Sequence, residues 1–181
     1  MQARQIHSSD GQRTFAVVMD SGDEAMEQVC RFAEREGIGG AQITGIGAFE
    51  KAVLRYFDWE AKQYCDIPVA EQVEVASLIG DIGKDEQGWP AVHIHLVLGR
   101  RDGSALAGHL KTGQVRPTLE LIVTETPAHL RRRKDPETGL SLIELGVPQL
   151  PETPSDAKDV LDEAKDHTLG IAELGATYVR R

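Results

Sequence analysis

Residues 93–109 read HIHLVLGRRDGSALAGH and predict a β-hairpin that carries three histidines. His93 and His95 stand two apart among branched apolar residues, which strands favour, so both imidazoles leave the same face of the sheet. Asp102-Gly103 marks the turn, and the returning strand carries His109. This hairpin therefore decides both the arrangement of the sheet and the position of the candidate site.

The register of the hairpin decides whether His109 joins the other two histidines. A two-residue turn at Asp102-Gly103 pairs His95 with Leu110 and sends His109 to the opposite face. A three-residue turn over residues 101–103, with its glycine left-handed in a bulge, sets His95 directly across from His109. We predict the second register, because it collects leucines and isoleucine on one face and histidines with small alanines on the other.

The next strand extends the histidine face in this prediction. Thr112-Gly113 predicts a tight turn, and residues 115–124 alternate so that Leu119, Leu121 and Val123 point to the core. The residues on the other face are then Arg116, Thr118, Glu120 and Ile122. We expect Arg116 and Thr118 to contact a ligand and Glu120 to act catalytically beside the imidazoles.

Three neutral imidazoles with a vacant fourth position suit Zn²⁺, so we predict a zinc site formed by His93, His95 and His109. Glu120 could be a fourth ligand, could orient an imidazole, or could be the base for a zinc-bound water. The alternative is that the histidines are half-buried polar residues on a solvated face, since H-x-H alone is a weak signal. On that view Arg116 and Glu120 form simple surface ion pairs.

Four segments in order resemble the plants-and-prokaryotes-conserved (PPC) domain family. They read TGIGAFEKAVLRYFDWEAKQY at 44–64, VEVASLIGDIG at 73–83, HIHLVLGRRDGSALAGHL at 93–110 and TGQVRPTLELIVTE at 112–125. The resemblance implies a PPC-like α/β (α+β) fold, an antiparallel β-sheet flanked by helices, assembled as a homotrimer. It also implies a metal held by the histidines that match His93, His95 and His109, and a DNA-binding or regulatory role.

The charge of the chain opposes the DNA-binding role that the resemblance implies. Nucleic-acid binding draws most of its affinity from Lys and Arg, whereas this chain has a net charge of -9 and a pI near 5.1. It has no AT-hook, because Arg116-Pro117 lacks the flanking Arg-Gly. The basic run at 131–134 is interpreted as a solvated loop face. DNA is therefore a partner that the net charge disfavours.

The composition predicts one domain with an ordinary core, from 181 residues of which 40% are hydrophobic. We place a PPC-like domain at 1–147 and a C-terminal extension at 148–181, in which residues 155–166 predict a short helix that packs on a neighbouring subunit or remains disordered. Cys30 and Cys65 are interpreted as free thiols, and no segment is long and apolar enough to span a bilayer. A cytoplasmic protein without a membrane partner is expected.

Outside the hairpin, local patterns predict one helix and a series of strands. Ser21 is the predicted N-cap, with Glu24 completing a capping box, and Gly37 ends the helix. Gly45 and Gly47 predict a close backbone or subunit approach in their strand. The strands are predicted at 13–19, 41–48, 51–57, 63–67, 73–82 and 140–145.

Three classes of function remain at this point. The protein is a metal-holding module for a small anionic ligand with Arg116 as its charge partner, a zinc-dependent hydrolase in which Glu120 shuttles the proton, or a DNA-binding or regulatory protein. We predict a PPC-family homotrimer with one three-histidine zinc site per subunit and, as the resemblance implies, a DNA-binding or regulatory role, and we keep the zinc-dependent hydrolase and the anion-binding module as alternatives.

Overall fold

The structure is a computed structural model that describes residues 1–126 and 128–145. The described residues contain nine strands and one helix, numbered here in chain order. The helix is α1 (Ala25–Glu36). The strands are β1 (Gln2–Ser9), β2 (Gln12–Asp20), β3 (Ala41–Asp58), β4 (Gln63–Val69), β5 (Val73–Lys84), β6 (Pro90–Gly99), β7 (Ala105–Glu125), β8 (Arg132–Lys134) and β9 (Ser141–Ile143).

Seven strands form one antiparallel sheet in the order β1-β2-β7-β6-β5-β3-β4, and β3 also pairs with β7. This additional pairing closes β3, β5, β6 and β7 into a ring, since each of them then borders two others. Strands β8 and β9 form a separate hairpin. The predicted PPC-like antiparallel sheet is confirmed, but one helix accompanies it in the described part of the chain where several were expected.

The core fills the inside of the ring and the space under α1. The helix turns Val29, Phe32 and Ala33 onto the sheet, and the Phe32 ring meets Phe15 of β2 edge-on at 5.3 Å. Burying a large apolar side chain of this kind stabilises a fold by roughly 1.5–3 kcal/mol. The packing therefore anchors α1 against the sheet that carries the candidate site.

Helix α1 begins later than its sequence predicts. Its N-cap is Glu24, so the prediction of Ser21 is wrong. The Asp23 N–H donates to the Asp20 carbonyl at 3.1 Å and the Gly22 N–H donates to the Val115 carbonyl of β7 at 3.0 Å, so a turn held against that strand precedes the helix. The predicted end is confirmed, because Gly37 takes the left-handed conformation with φ 67°.

Strand β7 is continuous over 21 residues, so the tight turn predicted at Thr112-Gly113 is wrong. Shifts in its register against β3 take up the irregularity instead. The predicted close approach at Gly45 is confirmed, because a Cβ there would lie 2.7 Å from the carbonyl oxygen of Glu120 on β7. Long strands that cross this closely allow the sheet to close into a ring.

Residues 1–126 and 128–145 contain no helix that could span a membrane. The predicted boundary between residues 147 and 148 and the predicted helix at 155–166 lie outside the described residues.

Candidate metal centre

The β6–β7 hairpin has the predicted register. His95 pairs directly with His109. The Arg100 N–H donates to the Ser104 carbonyl at 2.8 Å, and Gly103 between them has φ 83°, so the turn has three residues and a left-handed glycine. This register brings the imidazole of His109 to the same face as those of the H-x-H strand.

The three imidazoles lie close enough to share one metal ion. Their ligand nitrogens all lie within 4.8 Å of one another, and the Nε2 atoms of His93 and His95 are 3.1 Å apart. Zinc bonds of about 2.0–2.1 Å in a tetrahedron require nitrogen separations of about 3.3 Å. Small side-chain rotations of His109 therefore complete a three-nitrogen site, and the residues fit the metal that the sequence implies.

The electrostatic environment favours the neutral imidazoles of His95 and His109, and the neutral form is the one that binds metal. Burial, followed by the positive charges of the neighbouring histidines and arginines, lowers the pKa of His109 to about 4. Burial and then His93 lower the pKa of His95 as well. Nδ1 of His109 is buried without a hydrogen-bond partner among the described residues. An unpartnered ring nitrogen in a neutral imidazole is free to coordinate a metal.

A carboxylate and a guanidinium stand behind His93, and sequence analysis missed both. Asp81 pairs with His93 across β5 and β6, and its Oδ2 lies 3.8 Å from His93 Nδ1. Arg132 Nη2 donates to Asp81 Oδ1 at 2.6 Å and lies 3.2 Å from His93 Nδ1. Burial raises the pKa of Asp81, but hydrogen bonds and charges from His93 and Arg132 outweigh it and the pKa is lowered. At 3.8 Å the carboxylate is beyond hydrogen-bond distance of His93 Nδ1, so in this structure it acts on the ring through its charge.

Arg132 is a buried cation, with 6% of its surface exposed. Besides Asp81 it contacts the Ser141 carbonyl, to which Nη1 donates at 2.8 Å. The interpretation of 131–134 as a solvated face is therefore wrong for this residue. A strand aspartate at position 81 was a usable signal because aspartate is depleted in strands, whereas nothing local marks Arg132.

The triad opens onto a cleft of about 1080 Å³. Tyr56, Phe57 and Tyr64 of the β3–β4 hairpin line one part of it, and residues 139–143 around β9 line another. Small-molecule sites in proteins commonly enclose about 300–1,000 Å³. The cleft is thus large enough for an organic ligand in addition to a metal ion.

Glu120 does not lie beside the triad, so its predicted place at the site is wrong. Cross-strand pairs lead from His95 to Ile79, then to Thr44, then to Ile122. The row follows the sheet across three strand spacings of about 4.8 Å, a path of roughly 14 Å around the ring. Glu120 lies two residues from Ile122 along β7. The first part of β7 borders β6, but its second half borders β2, so the strand carries Glu120 away from the histidines.

Arg116 and Thr118 are also absent from the cleft lining. Arg116 Nη1 lies 3.3 Å from the Glu50 carboxylate in an exposed ion pair. The Thr118 hydroxyl donates to the Met19 carbonyl at 3.1 Å. The prediction placed these side chains on the outward face correctly, but the bend of β7 separates them from the histidines.

The metal-free protein is expected to lose stability as the pH falls from about 6.5 to about 4. The pKa of His109 is about 6.5 in the unfolded chain and about 4 in the folded protein. Within this window the unfolded chain binds more protons, so acid favours unfolding. Urea denaturation of chelator-treated protein at several pH values measures the effect. His109→Gln is the matched variant, and an equal pH slope in both proteins would contradict the assignment.

Solved structures of other proteins share this fold. A metal-containing protein of Archaeoglobus fulgidus is 34% identical with a TM-score of 0.67, over 72% of this chain and 92% of that one. A plant- and prokaryote-conserved protein of Pyrococcus horikoshii is 34% identical with a TM-score of 0.69, over 75% and 93%. A Bacteroides thetaiotaomicron protein described as a candidate DNA-binding protein is 27% identical with a TM-score of 0.69, over 78% and 96%.

A curated relative matches over a smaller share of its own length. The chain is 26% identical over 143 residues to the bifunctional protein GlmU of Synechococcus sp. (strain JA-3-3Ab), which is 77% of this chain and 21% of that protein. The chain thus spans about a fifth of the length of that relative. Residues 6–127, more than half of the chain, match the Plants and Prokaryotes Conserved (PCC) domain. This match confirms the resemblance read from the sequence, and the chain belongs to the Plants and Prokaryotes Conserved domain family.

Proposed function

We propose that the protein is a metal-binding module in which His93, His95 and His109 hold one Zn²⁺ per chain. The observation that carries this proposal is the convergence of three ligand nitrogens within 4.8 Å on one hairpin. Three imidazoles suit zinc, and a fourth position left to solvent distinguishes a binding or catalytic site from a closed structural one. The metal-containing relative from Archaeoglobus fulgidus supports a metal in this family.

Cobalt substitution tests the proposed geometry. Four-coordinate Co²⁺ absorbs visible light far more strongly than six-coordinate Co²⁺, so the parent protein should give an intense spectrum that the triple variant His93→Ala, His95→Ala, His109→Ala lacks. A weak, six-coordinate spectrum from the parent protein would contradict a three-imidazole site with one further ligand.

A binding module is favoured over a zinc hydrolase by the position of the carboxylates. A hydrolase needs a group that accepts a proton from the metal-bound water. Glu120 lies outside the cleft lining. Asp81 supplies the carboxylate among the described residues that line the cleft, and it already accepts a hydrogen bond from Arg132. The site can bind an anion or a partner at its metal without such a base.

Glu120→Gln is expected to leave zinc affinity unchanged within about two-fold, because the side chain lies outside the cleft lining. The parent protein is expected to show no turnover across ester and phosphoester panels. Zinc titration and turnover assays on both proteins measure this. Turnover in the parent that falls ~10²-fold or more in the variant would restore the hydrolase.

DNA binding is expected to be weak and to collapse with salt. Relatives from Bacteroides thetaiotaomicron and Ralstonia eutropha are described as candidate DNA-binding proteins. In this chain, however, Arg132 is buried, and Arg133 pairs with Glu144 at 3.0 Å. Few cations remain in the basic run to displace counterions. Fluorescence anisotropy at several salt concentrations measures binding. Nanomolar affinity at physiological salt that survives Arg131→Ala with Arg133→Ala would contradict this expectation.

We further propose that the chain assembles as a homotrimer through the outer face of β2, β3, β5 and β7. The exposed apolar side chains of this face are Val18, Ile46, Ile79 and Ile122, with exposed fractions of 38%, 61%, 58% and 43%, and they surround Glu120. Strand pairing makes them neighbours. Contiguous exposed apolar patches mark interaction sites in soluble proteins. Light scattering should give three times the 19.8 kDa chain mass, and Ile46→Lys with Ile79→Lys should lower it. A monomeric parent protein would contradict the proposal.

The cysteines support a cytoplasmic location. Cys30 and Cys65 are both free thiols. Burial, followed by the charge of Glu24, raises the pKa of the Cys30 thiol, which keeps it protonated and unreactive. Free thiols are usual in a reducing compartment.

A further inference from the structure

The cleft beside the triad carries positive charge in an otherwise acidic protein. The chain has a net charge of -9, yet the charged side chains lining the cleft are Arg55, Arg132 and Asp81, together with the three imidazoles. With the imidazoles neutral, this lining has an excess of one positive charge. A divalent ion on the triad would add two more. Such a cleft concentrates anions and repels cations.

The neighbours just outside the lining do not cancel this excess. Asp66 accepts a hydrogen bond from Arg55 Nε at 3.1 Å, but it also accepts one from Lys111 Nζ. Two cations therefore share one carboxylate on this side of the cleft. On the other side Asp81 and Arg132 balance each other. The positive excess therefore lies on the Arg55 side of the cleft.

Arg132 retains donor capacity that the fold does not use. Its two terminal nitrogens donate to Asp81 and Ser141, while its Nε is buried with no partner among residues 1–126 and 128–145. A guanidinium offers five N–H donors, and a planar carboxylate is the acceptor that matches their geometry. The Nε donor is enclosed by the fold, but Arg132 lines the cleft, and its terminal nitrogens keep N–H groups that can donate to an anion there.

The remainder of the cleft is apolar and exposed. Tyr56 is 66% exposed and Tyr64 36%, and both lie on the β3–β4 hairpin. Leu142 and Ile143 of β9 are 48% and 43% exposed. Exposed aromatic and aliphatic side chains on two sides of a cleft provide a contact surface for an apolar ligand body. The volume of about 1080 Å³ is far more than a bare inorganic anion fills.

We propose that this cleft binds a small organic acid, with the carboxylate between the triad metal and the arginines and the apolar body against Tyr56, Tyr64 and β9. The inference rests on the proposed metal site. It assigns to Arg55 and Arg132 the charge-pairing role that sequence analysis gave to Arg116. A free phosphate ion would match the charge but would leave the apolar walls uncovered.

Calorimetric titration of the zinc-loaded protein tests the proposal with 3-phenylpropionate, its neutral analogue 3-phenylpropanol, acetate and inorganic phosphate. The phenyl acid is expected to bind at least about ten-fold more tightly than the other three. A charge-assisted hydrogen bond contributes about that factor against the alcohol, and contact of the phenyl ring with the apolar walls contributes it against acetate and phosphate. Arg55→Gln and Arg132→Gln should each weaken it about ten-fold. Arg116→Gln, which removes the same charge outside the cleft, is the control and should not.

Zinc content and circular dichroism of every variant distinguish failure of the metal site and failure to fold from failure of the organic-acid proposal. Zinc absent from the parent protein would overturn the metal site itself. Zinc present, with equal affinity for acid and alcohol or with tighter phosphate binding, would overturn the organic acid and leave the metal site standing. Since Arg132 is buried, its variant could fail to fold. In that case Arg55→Gln alone decides, and an unchanged affinity for the phenyl acid in folded Arg55→Gln would overturn the inference.

Discussion

Replacing His109 by alanine is expected to remove the metal from the protein. His109 supplies one of three convergent nitrogens, and its partner across the hairpin is His95. Four-ligand zinc sites bind with about 10–16 kcal/mol, so one ligand accounts for about 3 kcal/mol, or a loss of about 100-fold in affinity. Competition for zinc against a chromophoric chelator measures this loss directly.

The control for this variant is His7→Ala. His7 lies on β1, a strand whose residues are all exposed, and it belongs to no metal-binding cluster in the described part of the chain. It should bind zinc as the parent protein does. Stoichiometric zinc of undiminished affinity in His109→Ala would show that His109 is not a ligand, whatever its distance from the other imidazoles.

Ile94→Ala is expected to destabilise the fold by about 2–5 kcal/mol. Ile94 stands between the two histidines of β6 and is 0% exposed, with its side chain in the core. Ile94 pairs with Gly80 of the neighbouring strand β5. A Cβ added at Gly80 would lie 2.3 Å from the His93 carbonyl oxygen, so the two strands are in close contact. The shortened side chain leaves a cavity that such close packing cannot refill. Urea denaturation of the metal-free protein measures the change in free energy.

Val97→Ala is the matched control, since it shortens another β-branched residue of the same strand. Val97 is 37% exposed and points outward with the histidines. Its loss should cost less than about 1 kcal/mol. Equal costs for the two variants would mean that the β6 faces are assigned the wrong way round, and with them the direction of the imidazoles.

The hairpin and the helix end were predictable because their signals are local. A three-residue turn with a left-handed glycine fixes the β6–β7 register, and Gly37 ends α1 by the same conformational freedom. Strand β1 was missed because all its residues are exposed, which removes the alternation that marks a strand. The continuity of β7 was missed because Thr112-Gly113 has the composition of a turn but lies in an irregular stretch of the strand.

The histidine site also has one part that local sequence predicts and another part that it does not. The three imidazoles come from one hairpin, so assigning alternate residues of its strands to the two faces of the sheet was enough to find them. Asp81 and Arg132 are 51 positions apart in the sequence and meet through the sheet. Glu120 was misplaced because counting alternate residues gives the face of a strand but not its path, and β7 curves away around the ring. Sequence patterns indicate which face of a strand a side chain occupies, whereas the closure of the sheet into a ring determines which side chains meet.

Metal analysis of the protein purified without chelator or histidine tag tests the central claim most directly, when the coordination distances are measured on the same sample. We expect about one zinc ion per chain, bound by nitrogens of His93, His95 and His109 at about 2.0–2.1 Å. Protein without stoichiometric metal, even after incubation with zinc, or a metal held by other residues, would contradict it.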